Sequence, residues 1–538
     1  MDPGFALHQF LQPLRADSQK IHALSRLFYA NFKHLALNAE DQFLATPISE
    51  SILRPVSHNG HGRHLAIDIG GTNLRVGFVE LEGKDTTIPD DALSAAIPRT
   101  NGTSSTAPAL RLKEKSWPID DRLKTDSEAD AQLLFDWIGA RIAEVVRSAC
   151  EEWQLPAQEE LPLGITFSFP MVQHSISDAT VMTMGKGFSI GGDAELGPLL
   201  LRGYEKSRVV EDGDAHRLPP IRIAAISNDS VSTLISFIYL FDESQSKKAS
   251  MGLIVGTGCN ATIPLRLTAM GSNKWPANVS TLPGESARLA RIAVNTEWSI
   301  RGTAPPMREL HLITPWDSAL DAALVGPNEI AGFQPLEYMT AGRYLGELGR
   351  LILVDYLKTV LAFDESSLPK DLLVRYRMTT TFLSHFKPSH PSDPSALLAK
   401  LDNEFPADGG ASFQWTPETA VALYHIAKAI QVRAAGIVAA ATVALLKLAG
   451  DIPEPVPGGG AVTPVKELGV GYTGGCISHF QDYLADTQDF LDKIVRLDYH
   501  DQPPPVRVVL SPCHDGGIKG AGILAAATGS SQTQETQK

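Results

Sequence analysis

Cysteine is scarce in this chain of 538 residues. The four cysteines are far apart, at Cys150, Cys259, Cys476 and Cys513, and no two of them form a Cys-x-x-Cys pair. This distribution argues against a zinc site and against a disulfide framework. It is typical of a protein in a reducing compartment, so we expect a cytoplasmic location.

Basic residues are also in deficit, because 47 Lys and Arg stand against 61 Asp and Glu and leave a formal net charge of −14. A protein that neutralises phosphates along a nucleic-acid strand needs the opposite balance. We therefore expect no nucleic-acid partner. A small anionic ligand stays compatible with this charge, since backbone amides and a few local cations are enough to bind it.

Long hydrophobic runs are missing as well. The longest nearly apolar run, Ala434 to Leu446, is shorter than the ~18 residues of a membrane span, and it predicts a buried helix and no transmembrane segment. The first 28 residues mix charged and apolar side chains, so they do not resemble a signal peptide. Their apolar positions recur at helical spacing and predict one or two amphipathic helices. We expect a soluble protein that is a monomer or a weak dimer.

The rest of the chain predicts an α/β protein of two domains or more, because strand-like and helix-like segments alternate over its length. The strand candidates are His64–Ile69, Leu74–Leu81, Gly164–Phe169, Arg222–Ser227, Met251–Val255 and Val506–Ser511. The helix candidates are Asp130–Glu151, Ser230–Tyr239, Leu336–Leu361 and Ala420–Leu448. Loops or insertions are predicted at 83–108, 210–220 and 387–394, and a disordered tail from Gly529.

Two segments far apart in the chain repeat one pattern, a strand followed by a Gly-rich turn and a second strand. The first runs from His64 to Val79 and the second from Met251 to Ile263, and each places Gly, Thr and Asn in the turn. Two related halves, each with such a hairpin directed at a shared cleft, would form a two-lobed phosphate-binding enzyme.

The first of these turns, Asp68-Ile-Gly-Gly-Thr-Asn73, has the chemistry of a phosphate loop. Glycines let backbone amides approach phosphate oxygens, the threonine hydroxyl can donate a hydrogen bond, and the aspartate can hold a hydrated Mg²⁺. Arg75 can add a charge-assisted contact. The turn is neither a Walker A loop nor a dinucleotide fingerprint, because a strand follows it. An ordinary hairpin closed by Gly-Gly is the alternative.

Asn228-Asp229-Ser230 follows an apolar strand and precedes a helix. A carboxylate there can accept the proton of a substrate hydroxyl that attacks phosphorus. A helix cap is the alternative, since Asn, Asp and Ser are preferred N-cap residues.

Three further clusters place polar residues in apolar surroundings, around Ser168 and Lys186, around Glu297, and around Glu337. Carboxylates and amides that meet at one place suit a polyhydroxyl ligand, because each ring hydroxyl both donates and accepts. Singly, each cluster is better explained as a solvated surface or a helix start, and only their joint occurrence favours a polyhydroxyl-binding site.

The order of these motifs resembles that of the eukaryotic hexokinases from about residue 10 to residue 527. The motifs that carry the resemblance are Asp-Ile-Gly-Gly-Thr-Asn-Leu-Arg, Thr-Phe-Ser-Phe-Pro, Lys-Gly-Phe, Asn-Asp-Ser, Gly-Thr-Gly-Cys-Asn, Asn-Thr-Glu-Trp and Glu-Tyr-Met-Thr-Ala-Gly-Arg-Tyr-Leu-Gly-Glu. The resemblance implies a two-lobed actin-like ATPase (ribonuclease H-like) fold with a central cleft. It also implies a sugar acceptor, ATP as phosphoryl donor, and Mg²⁺.

Residue by residue, the resemblance implies that Asp229 is the general base for the sugar 6-hydroxyl. It implies sugar binding by Ser168, Phe169, Lys186, Asn228, Asn260, Glu297 and Glu337. It implies nucleotide binding by Asp68, Gly70, Gly71, Thr72, Asn73, Arg75, Gly256, Thr257, Gly258, Gly474 and Gly475, with Asp68 near the metal through water.

The resemblance also implies a division of the chain. Residues 1–63 are expected to form N-terminal helices on the large lobe. Residues 64–226 are assigned to the small lobe with the first phosphate loop, and residues 227–512 to the large lobe with Asp229 and the second loop. Residues 513–528 are expected to form a helix that returns to the small lobe, and residues 529–538 the disordered tail.

Departures from glucose hexokinases resemble a fungal branch that phosphorylates N-acetylglucosamine. Met184-Gly185-Lys186 replaces Trp-Thr-Lys, Ser299 replaces a glycine, and Thr473-Gly-Gly475 replaces Asp-Gly-Ser. Gly185 removes a side chain near the sugar, which opens room for a bulkier ring substituent. We therefore expect an N-acetylglucosamine 6-kinase.

Two alternatives to that substrate and activity remain. The first is a glucose or broad-specificity hexokinase. The second is a non-catalytic hexokinase-like regulatory protein, because His514-Asp-Gly-Gly517 departs from the family's Glu-Asp-Gly-Ser.

Overall fold

The computed structural model describes residues 3–53, 56, 60–82, 110–123, 128–182, 195–208, 217–241, 246–326, 329–388, 393–407, 413–454, 466–500 and 503–535. Its strands are β1 (Leu44–Ser49), β2 (Gly62–Ile69), β3 (Asn73–Leu81), β4 (Leu110–Pro118), β5 (Leu161–Phe167), β6 (Met171–Ser175), β7 (Asp178–Val181), β8 (Ile221–Ser227), β9 (Lys247–Val255), β10 (Cys259–Arg266), β11 (Arg291–Asn295), β12 (Val325–Gly326), β13 (Glu329–Ile330), β14 (Glu467–Thr473) and β15 (Arg507–Pro512).

The helices surround these strands and join them. They are α1 (Pro3–Phe10), α2 (Ser18–Asn38), α3 (Glu128–Trp153), α4 (Leu196–Arg208), α5 (Asp229–Leu240), α6 (Ala304–Glu309), α7 (Pro315–Ala322), α8 (Pro335–Thr340), α9 (Gly342–Thr359), α10 (Lys370–Leu373), α11 (Thr380–Ser384), α12 (Ser395–Glu404), α13 (Pro417–Leu448), α14 (Gly475–His479), α15 (Tyr483–Asp498) and α16 (Gly516–Glu535).

Two sheets of the same design organise two lobes. The small-lobe sheet has the order β4-β3-β2-β5-β8, with β4, β3 and β2 antiparallel and β5 and β8 parallel to β2. The large-lobe sheet contains β11-β10-β9-β14-β15 with the same alternation of directions, and β1 adds an edge strand. The repeated pattern in the sequence therefore corresponds to the equivalent hairpins β2–β3 and β9–β10. The predicted α/β, two-lobed architecture is confirmed.

Each lobe has a hydrophobic core of its own. In the small lobe, α3 and α4 cover one face of the sheet, while α16 packs on β2, β5 and β8 and against α5. The C-terminal helix thus lies on the small-lobe sheet, although β15 before it belongs to the large lobe. The N-terminal helix α2 packs on α13 and α15 in the large-lobe core.

Helix α13 is the central helix of the large lobe. It is long and apolar enough to span a membrane, but 89% of its most apolar 18-residue window is buried inside the protein. This agrees with the prediction of a buried helix. An ion pair lies within this apolar region, where the fully buried Arg433 contacts both carboxylate oxygens of Asp317 at 2.6 and 2.8 Å.

The structure differs from the sequence prediction at two helices. The segment Leu336–Leu361 is two helices rather than one, because Ala341 is extended (φ −101°, ψ 149°) and Gly342 N donates to Gly256 O at 2.8 Å. Helix α16 continues to Glu535, where the composition predicted disorder from Gly529; each residue added to a formed helix gains a hydrogen bond, and no proline interrupts this segment. The insertions at 83–108, 210–216 and 389–392 lie outside the described residues.

Candidate active site

The first Gly-rich turn closes the β2–β3 hairpin at the end nearest the large lobe. Asp68 pairs with Arg75 across the hairpin, and Gly70 N donates to Asn73 O at 2.9 Å. The turn is anchored from outside by Ile119 N, which donates to Thr72 O at 2.8 Å. These bonds leave the Thr72 and Asn73 side chains exposed at the rim of the turn.

A cleft of about 510 Å³ opens beside this turn and is lined by residues of both lobes. The described lining residues are Asp68, Gly70, Thr72, Asn73, Arg75, Ser168, Asp229, Thr233, Ile254, Thr473, Gly474, Gly475, Ser478, His479, His514, Asp515, Gly516 and Gly517. Five parts of the sequence, around residues 68–75, 168, 229–254, 473–479 and 514–517, therefore meet at one surface.

Arg75 is held between two carboxylates. Its Nε and Nη2 atoms donate to Glu114 on β4 at 2.9 and 2.6 Å, and Nη2 also donates to Asp515 at 2.6 Å. Asp515 has a left-handed backbone (φ 60°), which directs its carboxylate at this guanidinium. Burial tends to raise the pKa of the Asp515 carboxyl. The hydrogen bond from Arg75 lowers it, and the net effect is a pKa below the ordinary value. The guanidinium is thereby fixed beside the first Gly-rich turn.

Asp68 is a carboxylate whose pKa its surroundings shift strongly. Burial, and after it the charge of Asp229, raise the pKa of Asp68 to about 7, against the opposing effect of Arg75. A cation bound here would relieve that repulsion and keep Asp68 ionised. Among the described residues, no group of three or more His, Cys, Asp or Glu could hold a metal ion by itself. One or two carboxylates do suit Mg²⁺, which takes its remaining ligands from phosphates and water.

Asp229 is the first residue of α5 and lies in the cleft wall. The cap of this helix is Asn228, whose side-chain oxygen accepts from Ser230 N at 2.9 Å. Asp229 Oδ1 accepts from the same amide at 2.8 Å, and Thr233 Oγ1 donates to Asp229 O at 2.9 Å. Because Asn228 is the helix cap, capping alone does not explain why an aspartate follows it and lines the cleft.

A network of amides and carboxylates extends from α5 into the large lobe. Asn260 Nδ2 donates to Asn295 Oδ1 at 2.9 Å and to Glu297 Oε1 at 3.2 Å, and Asn295 Nδ2 donates to the same carboxylate oxygen at 2.8 Å. Ser230 Oγ joins this network to the cap, since it donates to Asn228 Oδ1 at 2.8 Å. Asn260 and Glu297 are half-buried, so they keep an accessible side.

The second Gly-rich turn lies at the end of β9, and helices brace it. Gly342 N and Arg343 N at the start of α9 donate to Gly256 O at 2.8 Å and Thr257 O at 3.2 Å. Glu337 on α8 accepts from Cys259 N at 3.2 Å, and a side chain on Gly258 would approach this carboxylate to 3.0 Å. Glu337 is thus placed directly behind the turn and beside Asn260.

The turn before α14 packs directly on the second Gly-rich turn. Gly474 has φ +119°, and a Cβ on it would lie 2.3 Å from Val255 O and 2.6 Å from Gly256 N. Only glycine suits both the backbone angle and this approach. The described lining residues on this side of the cleft include Ile254, Gly474 and Gly475, but they do not include Gly256, Thr257 or Gly258.

Two residues assigned to sugar binding differ from the others. The Phe169 ring is buried in the small-lobe core against Phe167 at 4.9 Å, and only its backbone carbonyl faces the network, where it accepts from Asn228 Nδ2 at 3.4 Å. Lys186 lies outside the described residues, together with Gly185.

Several residues of this site escaped the sequence analysis. Asp515 lies in a Gly-rich motif that the sequence marked as divergent, but nothing in it indicated a contact with Arg75. Glu114 lies on the exposed strand β4, after an insertion, and no sequence motif marks it as a site residue. Gln42, which donates to Glu297 O at 2.9 Å, lies in a segment with no motif.

Nearly the whole chain is similar to known hexokinases. Two models of the hexokinase family, both described as Hexokinase, match residues 6–239 and 250–527. Hexokinase-1 of Nicotiana tabacum is 27% identical over 467 residues, which cover 87% of this chain and 79% of that protein. The hexokinase of Schwanniomyces occidentalis is 26% identical over 475 residues, covering 87% of this chain and 81% of that protein.

A solved structure gives the same fold. The hexokinase from Schistosoma mansoni complexed with glucose superposes with a TM-score of 0.71 at 22% identity, covering 98% of this chain and all of that chain. A second structure, described as hexokinase, has a TM-score of 0.67 at 21% identity and covers 98% of this chain and 99% of its own. The predicted two-lobed fold with a central cleft is confirmed.

Proposed function

The chain belongs to the hexokinase family, and we propose that it transfers the terminal phosphoryl group of ATP to the 6-hydroxyl of N-acetylglucosamine. Phosphorylation of a sugar is the activity of its family. The substrate, the roles of the individual residues and a cytoplasmic location are part of the proposal.

One observation carries the kinase assignment, namely that Asp229 lies in one cleft with the first phosphate loop and the Gly474 turn. The sugar-binding candidates Asn260 and Glu297 are connected to the same helix start through Ser230. Phosphoryl transfer depends mainly on placing the acceptor hydroxyl in line with the donor phosphate and on balancing charge. A cleft lined by Asp229 and the first phosphate loop, with Asn260 and Glu297 hydrogen-bonded toward the start of α5, would meet both requirements.

In this proposal Asp229 orients the 6-hydroxyl and takes its proton as the O6–P bond forms and the bond between phosphorus and the ADP oxygen breaks. Asp229 sits at the N-terminus of α5, where the helix dipole favours a negative charge. Ser168 on the small lobe and Asn260, Glu297 and Glu337 on the large lobe would hold the ring hydroxyls. Backbone amides of the first loop and Arg75 would contact the phosphates.

Mg²⁺, when bound, supplies the positive charge that offsets the phosphate oxygens. Asp68 is the residue that would hold it through water, and the influence of Asp229 on the pKa of Asp68 is consistent with a cation at this place. Arg75 cannot provide that charge alone, because Glu114 and Asp515 both pair with it.

The N-acetylglucosamine assignment rests on motif departures. Gly185, outside the described residues, stands where glucose hexokinases have a threonine, and in this proposal the missing side chain would leave room beside the sugar. Ser299 acts differently, because its buried hydroxyl donates to Cys259 O in the wall of the site. It therefore ties the Glu297 turn to β10, next to Asn260, and does not contact the sugar itself.

Glucose is the second candidate substrate. The observation that favours it is the similarity to proteins named hexokinase, one of which was solved in complex with glucose. Both sugars use the same 6-hydroxyl, so they differ only in how the site accommodates the substituent at the 2-position.

The deciding experiment is initial-rate ADP release with MgATP and a panel of N-acetylglucosamine, glucose, mannose, fructose and glucosamine. We expect the highest kcat/KM with N-acetylglucosamine. A preference for glucose would support the kinase activity and contradict the N-acetylglucosamine assignment. If the folded protein bound a sugar but released no ADP with any of them, the regulatory alternative would replace the kinase.

A further inference from the structure

We propose that Gln42, a residue of the N-terminal segment, is a positioning residue that sets the orientation of the Glu297 carboxylate toward the sugar. The inference rests on the proposed function, since it takes Glu297 as a sugar ligand. Gln42 belongs to no motif and lies between α2 and β1.

Gln42 is buried, with 1% of its surface exposed, and its side-chain amide acts on the turn that carries Glu297. Nε2 donates to Glu297 O at 2.9 Å and to Thr303 Oγ1 at 3.1 Å. The side chain fits closely, because a Cβ on Gly302 would lie 2.0 Å from Gln42 Oε1. A buried glutamine whose amide nitrogen donates two hydrogen bonds, and whose oxygen is packed against Gly302, is held in one rotamer and can therefore fix the group it contacts.

Glu297 needs such support because its backbone is left-handed (φ 43°), a conformation that side chains other than glycine seldom adopt. Its carboxylate accepts from Asn295 and Asn260 through Oε1. The direction of the side chain thus depends on the peptide that follows it, and Gln42 holds the oxygen of that peptide.

The rest of the turn is anchored independently of Gln42. Phe43 N donates to Thr296 O at 3.0 Å, Thr296 N donates to Ala261 O at 3.0 Å, and Ile300 N donates to Glu297 O at 3.2 Å. Loss of the Gln42 amide would therefore leave Glu297 O with one donor and the turn folded. The expected defect is one of orientation at the sugar site.

The test is the steady-state kinetics of Gln42→Met, which keeps the length of the side chain and removes the donor. We expect KM for the sugar to rise about five- to tenfold, the range of one lost hydrogen bond, while KM for MgATP stays within about twofold. The matched control is Asn31→Ala, which removes a 3.2 Å bond to Gly302 O in the same loop without touching Glu297 and should leave both constants unchanged.

Glu297→Gln, measured in parallel, separates this inference from the proposed function. If Glu297→Gln raises KM for the sugar and Gln42→Met does not, the positioning role is wrong. If Gln42→Met raises both KM values alike and lowers the melting temperature, its role is structural and the inference also fails. If neither variant changes KM for the sugar, the assignment of Glu297 in the proposed function is overturned, and the inference with it.

Discussion

At the scale of single residues, two adjacent side chains at the start of α5 have different positions: one caps the helix and the other faces the cleft. Asn228 is buried and accepts from Ser230 N, whereas Asp229 lines the cleft. A motif of three polar residues can be read as a cap or as a catalytic site; here Asn228 is the cap, and Asp229 in the cleft is the proposed base. The same distinction makes the proposed base testable without destroying the helix.

Asp229→Asn should lower kcat about 10²- to 10⁴-fold, the usual contribution of a positioned general base. The amide keeps an oxygen that can accept from Ser230 N, so the melting temperature should stay close to that of the wild type. The measurement is ADP release, with sugar binding followed by calorimetry. Asp17→Asn, at the cap of α2 and far from the cleft, is the matched control and should retain wild-type kcat. Turnover near the wild-type level in Asp229→Asn would contradict the assignment of the base.

Asp68→Asn should change the pH dependence of stability in the metal-free protein. The pKa of Asp68 is about 7 in the folded protein, whereas an ordinary aspartate, as in the unfolded chain, has a pKa of 3.8. Because the folded state binds more protons between these values, the free energy of unfolding should fall as pH rises through this window. The variant lacks this effect. The melting temperature of the variant minus that of the wild type should therefore increase as pH rises from 5 to 8 in EDTA. A constant difference over that range would show that Asp68 is not perturbed.

At the scale of elements, the cleft depends on close approaches that only glycine allows. The break between α8 and α9 brings two amides of α9 onto the second Gly-rich turn, and the Gly474 turn lies directly against that turn. A hairpin, a helix start and a second turn are thereby joined into one rigid wall. The position of the second Gly-rich turn therefore depends on elements that are distant in the sequence.

Gly474→Ala should disrupt this wall, since its Cβ would lie 2.3 Å from Val255 O. We expect a destabilisation of about 1–3 kcal/mol from strain and overpacking, together with a raised KM for MgATP. Gly450→Ala is the matched control, because Gly450 is also left-handed (φ +75°) but has no atom within 4 Å of the new Cβ. Urea denaturation and ADP release measure the two effects. Equal behaviour of both variants would mean that the contact between the turns is unimportant.

At the scale of the whole molecule, the candidate sugar ligands lie on both lobes. Ser168 follows β5 of the small lobe, whereas Asn260, Glu297 and Glu337 belong to the large lobe. A ligand that contacts both sides binds a closed arrangement more tightly than an open one, and it shifts the population toward closure. Closure would also exclude water from the reacting phosphate.

The sugar should therefore reduce the radius of gyration, measured by small-angle X-ray scattering with and without saturating N-acetylglucosamine. Glu297→Gln at the same sugar concentration is the control, and it should remain closer to the unliganded value because its affinity is reduced. An unchanged radius in the wild type, with sugar bound, would indicate that the lobes do not close on the sugar.

The sequence by itself determined the two hairpins, the buried character of α13 and the order of the motifs. These follow from local rules, since periodicity reports which face is buried and glycine reports where the backbone turns tightly. Asp68, Asp229 and Glu297 could be proposed from the sequence for the same reason, because each stands next to a turn or a helix start.

Only the tertiary structure decided which of these residues meet. The pairing of Arg75 with Asp515 joins residues 440 positions apart, and Gln42 contacts Glu297 across 255 positions, so no local pattern contains either contact. The break at Ala341 likewise depends on the carbonyl of Gly256, which binds the amide after it. Sequence patterns describe what each segment prefers, whereas the site arises from contacts that form only when both lobes have folded.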